Sequence, residues 1–72
     1  MAAEQRETTD APMRFMRRPA VMDCTGLGRT AIDDQEAAGD FPRRFPIGPR
    51  AVAWLESEVN AWQKSRIEKA RA

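Results

Sequence analysis

A chain of 72 residues makes one small domain with a slight core, because short chains bury a modest share of their surface. One cysteine and no histidine exclude an internal disulfide framework, a zinc site and a Cys–His catalytic pair. The net charge is only +1, yet residues 41–72 hold seven basic side chains against three acidic ones, so a polyanion would meet the second half of the chain.

Residues 1–12 are polar and without period, and read as a disordered N-terminal tail. They lack the apolar core of a signal peptide, and no apolar run in the chain is long enough to span a bilayer. The expected location is the cytoplasm, with no membrane partner, cofactor or small-molecule ligand indicated.

Arg14-Phe15-Met16 can add a short strand to a sheet formed elsewhere. Pro19 then suits the first position of a helix, where its missing amide costs nothing. Val21 and Cys24 share one face of that helix, and Cys24 reads as a small buried apolar residue. Thr25-Gly26 ends it. Leu27 follows, and Gly28 can cap a second helix running from Arg29 to Ala38, with Gly39 as a left-handed terminator. Helix, Thr-Gly turn, helix is the outline of a helix-turn-helix.

Beyond Gly39 the period changes. Phe45 and Ile47 stand two apart, as do Val52 and Trp54, which is the period of strands with one buried face. Gly48-Pro49 between them is a turn dipeptide, and Pro46 must turn its missing amide to an edge. The reading is a hairpin with Arg43, Arg44 and Arg50 at its rim, running straight into a helix. Ser57 is the expected cap of that helix, with Glu58 near the positive end of the dipole. Val59, Trp62, Arg66 and Ile67 recur at three- and four-residue steps as one mostly apolar stripe. Lys64, Arg66, Lys69 and Arg71 crowd the last turns, where cations suit the negative end. Trp54 and Trp62 are the largest apolar surfaces and read as core anchors. No heptad persists, so an obligate coiled-coil dimer is not indicated.

Taken together these pieces are familiar. Thr25-Gly26-Leu27 with Arg29-Thr30, then Gly39-Asp40-Phe41-Pro42, Gly48-Pro49-Arg50-Ala51-Val52-Ala53-Trp54, Glu56-Ser57-Glu58-Val59 and Trp62 resemble the AlpA family of small phage and prophage transcriptional regulators. That family is related to excisionases and to the DNA-binding end of MerR-type proteins. The resemblance covers roughly Arg14 to Arg66. It implies a mainly α fold with a small β-hairpin: an excisionase/MerR-like winged helix-turn-helix over residues 13–70, binding double-stranded DNA.

By the same resemblance, Arg29 and Thr30 lie at the N-terminal end of the recognition helix, where base edges and phosphates are reached. Arg43, Arg44 and Arg50 become wing residues on phosphates or the adjacent minor groove. Val21, Leu27, Ile32, Phe41, Ile47, Val52, Trp54, Val59 and Trp62 become the core. One part departs from the family pattern. An aromatic and a basic residue usually follow the position of Ile32, but this chain has Asp33 and Asp34. With Ile32 inward, positions 30, 33, 34 and 37 point outward, and both carboxylates face the groove with no basic residue between Arg29 and Arg43 to offset them. An aspartate there can still accept a hydrogen bond from cytosine N4.

Three readings stand. The first is a sequence-specific, phage-type transcription regulator. The second is an excisionase-like factor that bends DNA at a recombination site. The third is a protein-interaction module whose acidic second helix docks on a basic partner. Self-association on DNA is open in all three. An enzyme is not expected, since Glu56 and Glu58 are better explained as first-turn helix residues than as a catalytic pair.

Overall fold

The computed structural model describes residues 13–72. The tail expected over residues 1–12 lies outside them. In chain order the elements are strand β1 (Phe15–Met16), helices α1 (Arg18–Thr25) and α2 (Arg29–Ala37), strands β2 (Phe45–Gly48) and β3 (Ala51–Leu55), and helix α3 (Glu56–Ala70). No helix among the described residues is long and apolar enough to cross a membrane.

Local chemistry accounts for the ends of the two short helices. Arg17 precedes α1 in an extended conformation and Pro19 occupies its first turn, where no amide is needed. Thr25 closes α1 by donating its hydroxyl to the Val21 carbonyl (2.7 Å), and the same oxygen accepts the Leu27 amide (3.2 Å). Gly26 then turns the chain at φ 77°, a left-handed conformation that side chains with a Cβ resist. Gly28 caps α2 through its backbone alone, its carbonyl taking the Ile32 amide at 3.1 Å. At the other end Gly39 sits at φ 83°. Its amide reaches the Glu36 carbonyl (3.1 Å), and that of Asp40 reaches Gln35 (2.8 Å). This double closure is the Schellman arrangement, which satisfies two of the carbonyls a helix end leaves free.

The three strands form an antiparallel sheet in the order β1-β3-β2. The two residues of β1 therefore do add to the hairpin, on the far side of β3. Phe15 faces Leu55 and Met16 faces Trp54, while Phe45 faces Ala53 and Pro46 faces Val52. Register slips between Pro46 and Gly48, where Gly48 pairs with Ala51. That bulge corrects the expectation of one buried face on β2. An extra residue in one strand breaks the two-residue alternation, and Ile47 emerges 40% exposed. Phe45, opposite Ala53, lies on the side away from Trp54, because neighbouring β3 residues point to opposite faces. There it meets the ring of Phe15 edge-on, centroids 5.4 Å apart.

The core lies on the other side of the sheet. Val21 of α1, Ile32 of α2, Phe41 of the connecting loop, Trp54 of β3 and Val59 of α3 are buried together, with Met16, Met22, Leu27 and Trp62 packed around them. Each helix thus contributes one fully enclosed aliphatic side chain to a single indole. Val52 is only half-buried. Trp62 also sits at the margin: its ring stands edge-on to Phe41 (4.8 Å) and its Nε1 donates to the Asp40 carbonyl (2.6 Å).

Two further expectations are corrected. Ser57 does not cap α3; Leu55 precedes the helix in extended geometry and Ser57 lies inside the first turn. β3 runs into the helix without a loop, and one of the helix's free first-turn amides, that of Glu56, is taken by the Arg14 carbonyl (2.8 Å) beside β1. Glu56 and Glu58 still place negative charge in the first turn. Cys24 is exposed rather than buried. Val21 alone carries the buried face of α1, and shielding by the surrounding chain, with the nearby Asp23 charge, pushes the thiol pKa up. The stripe on α3 docks only along its first half: Val59 is enclosed, whereas Ile67 is half-exposed.

Candidate nucleic-acid interface

The helix read as the recognition element is α2, and its outer face divides along its length. Arg29 and Thr30 stand exposed in the first turn, which contains no acidic residue. With only Gly28 as cap, the first-turn amides carry no side-chain acceptor, and their partial positive charge suits an anion. The acids begin one turn later. Asp34 is exposed, while Asp33 and Glu36, three residues apart, share the face turned toward the loop before β2.

On that face the structure corrects the expectation that nothing offsets the carboxylates. Arg44, at the foot of β2, donates from Nη2 to Asp33 Oδ1 (2.6 Å) and from Nε to Glu36 Oε1 (2.8 Å). Its Nη2 also pairs with Glu36, and its backbone amide reaches Glu36 Oε2 at 2.6 Å. From the other side Arg18 of α1 donates to the same Asp33 oxygen at 3.2 Å. Both guanidinium carbons lie 5.3 Å from the Trp54 ring centroid, within range of cation–π attraction. Arg18 and Glu36 are largely withdrawn from water, with 14% and 11% of their side chains accessible, whereas Arg44 and Asp33 keep 31% and 41%.

The ionisation of the cluster follows from these contacts. The Arg44 hydrogen bond, with that of Arg18 behind it, holds the Asp33 carboxyl below its ordinary pKa. Burial pushes the Glu36 carboxyl up, but the guanidinium and amide of Arg44 outweigh burial and leave it lowered. Arg44 is held correspondingly above the ordinary arginine value, chiefly by Glu36. At neutral pH Asp33, Glu36 and Arg44 are all charged.

The remaining arginines stand differently. Arg43 is exposed beside Arg44, at the rim of a shallow hollow lined by Asp33, Glu36 and Ala37 of α2. Arg50 is exposed in the turn between β2 and β3. Neither has a hydrogen-bond or ion-pair partner among the described residues. Of the seven positions singled out from sequence, the structure joins Asp33 and Arg44 directly and sets Arg43 beside them. Arg29 and Thr30 stand a turn away at the start of α2, Asp34 stands on its outer side, and Arg50 is at the hairpin tip. Sequence reasoning missed Arg18 and Glu36. The available signal was the i, i+3 spacing of Asp33 and Glu36, which puts two acids on one helix face in a chain rich in arginine.

Comparison with known proteins adds to this geometry. Residues 14–67 match the family model described as Prophage CP4-57 regulatory protein (AlpA). A protein of Enterobacteria phage P4, ORF88, which carries no functional description, is 46% identical over 54 residues. That alignment takes in 75% of this chain and 61% of the phage protein, so the chain spans less than two-thirds of that relative's length. The DNA-binding transcriptional activator AlpA of Escherichia coli (strain K12) is 32% identical over 62 residues, covering 78% of this chain and 89% of the activator.

Proposed function

This chain belongs to the AlpA family of prophage regulatory proteins, and on that footing we propose that it is a DNA-binding transcriptional regulator of phage type. In this reading α2 lies in the major groove and the β2–β3 hairpin serves as a wing on the backbone. Arg29 and Thr30 reach base edges and the flanking phosphates from the first turn of α2. Asp34 accepts from a cytosine amino group. Arg43 and Arg50 hold phosphates.

The observation that carries the reading is how charge is distributed on α2. Paired with two arginines, Asp33 no longer repels a duplex as an isolated carboxylate would. The first turn of the helix and the two exposed wing arginines keep their positive potential. A DNA-binding activator among the relatives supports the same assignment.

The test is the salt dependence of binding to a fluorescent duplex. Three phosphate contacts, from Arg29, Arg43 and Arg50, give a slope of log K against log salt of about −2.7, or roughly forty-fold weaker binding between 50 and 200 mM. A flat response would overturn the proposal. Selection from a random duplex pool should also yield a shared sequence, since base contacts and not phosphate contacts carry preference.

A further inference from the structure

Resting on that reading, we propose that Arg44 and Arg18 are positioning residues rather than DNA contacts. Together with Asp33 and Glu36 they lock α2, α1 and the foot of the wing onto the indole of Trp54. The locked cluster fixes the spacing at which helix and wing meet a duplex.

The geometry separates Arg44 from its neighbours. Its Nε and one terminal nitrogen are engaged by Glu36 and Asp33, its amide is held by Glu36, and its guanidinium carbon lies over the Trp54 ring. Nη1 has no partner among the described residues, but to turn its whole fork onto a phosphate Arg44 would have to abandon two carboxylates, leaving Glu36 charged and mostly enclosed without a partner. Breaking one side of such a pair costs more than the intact pair contributes. Arg43, one residue earlier, is exposed and has no such partner among the described residues. Arg18 is tied likewise to Asp33 and the same indole. The three elements reach this point from distant parts of the chain: Arg18 is 15 residues from Asp33, and Arg44 is 11. A change in any one member therefore alters how α1, α2 and the wing foot sit together. Glu36 makes the tightest link, because it holds the backbone of the wing as well as a side chain.

This assignment has a consequence opposite in sign to simple electrostatics. Removing an acid from a DNA-binding face strengthens binding when the acid acts only as a charge. Here Glu36→Ala releases the wing foot, so duplex binding weakens by about tenfold even though the protein becomes more positive. Arg44→Gln weakens binding to a similar extent while leaving the salt slope of the parent unchanged. Arg43→Gln and Arg50→Gln each lower the slope by about 0.9. If Glu36→Ala strengthens binding and steepens the slope, or if Arg44→Gln lowers the slope by about 0.9, Arg44 is a phosphate contact and the proposal is overturned.

A second measurement needs no variant. In the 15N-labelled parent chain the Nε–H resonance of Arg44 should exchange slowly with solvent and keep its shift through a duplex titration, while those of Arg43 and Arg50 move. Fast exchange in the free protein, or a shift on saturation equal to that of Arg43, overturns the proposal. If the parent binds no duplex at all, the functional reading falls by itself. Slow exchange at Arg44, lost in Glu36→Ala, would still support the positioning role.

Discussion

Replacing Trp54 probes the fold at the point where all its parts converge. The side chain is fully buried, shares one cluster with the enclosed aliphatic side chain of every helix, and carries two guanidinium groups 5.3 Å from its ring centroid. Trp54→Ala should cost about 3–5 kcal/mol for the lost contacts and the cavity. The two cation–π contacts add about 0.5–2 kcal/mol each. A domain of this size has a total stability of roughly 4–11 kcal/mol, from about 0.05–0.15 kcal/mol per residue. The variant should therefore be largely unfolded at 25 °C, or melt at least ~12 °C below the parent, taking about 4 °C per kcal/mol.

Trp54→Phe separates packing from polarity. The indole Nε1 is buried without a hydrogen-bond partner among the described residues. An unmet donor costs about 1–3 kcal/mol, and phenylalanine removes it. The loss from the smaller ring is thus partly offset, and the net cost should be no more than about 2 kcal/mol. Far-ultraviolet circular dichroism during urea unfolding reads all three proteins on one scale. A cooperative Trp54→Ala transition at the parent midpoint would refute the idea that this indole organises the core.

Three other outcomes are expected. Because Asp33 and Glu36 titrate below their ordinary values in the folded protein, their contribution is fully present above the ordinary carboxylate range. It is lost as pH falls from about 4 through the lowered folded values; thermal melts from pH 7 to pH 2 should show this loss, and Arg44→Gln should flatten it. Gly39→Ala should cost about 1–2 kcal/mol by urea unfolding through backbone strain alone, since φ is 83° and an added Cβ would meet nothing within 4 Å. Arg29→Ala or Thr30→Ala should change preference among duplexes, whereas Arg43→Ala or Arg50→Ala should weaken all duplexes about equally, as competition binding assays would show.

Much of the fold was readable because its boundaries are set by residues acting on their immediate neighbours. Gly26, Gly28 and Gly39 fix three helix ends through backbone conformation, and the two-residue period announced the hairpin. The errors arose where a distant partner decided the outcome. Ser57 is a good cap in isolation, but β3 enters the helix without a loop, so Ser57 falls inside the first turn, and the Arg14 carbonyl beside β1 takes the Glu56 amide. Ile47 obeys its period until one extra residue in β2 breaks the register. Cys24 shares a helix with Val21, yet Val21 is enclosed in the core and Cys24 is exposed. The candidate interface shows the same division. Arg29, Thr30, Arg43 and Arg50 could be nominated by type and position, while the Arg18–Asp33–Arg44–Glu36 cluster spans three elements and no local pattern states which acid meets which base.

The loop-free passage from Leu55 to Glu56 has a mechanical meaning of its own. Strand and helix follow one another with no residue between them, and the buried Trp54 ring and Val59 side chain hold the chain on either side of the junction. With no loop at the junction to take up slack, a displacement of the hairpin passes directly to the first turn of α3.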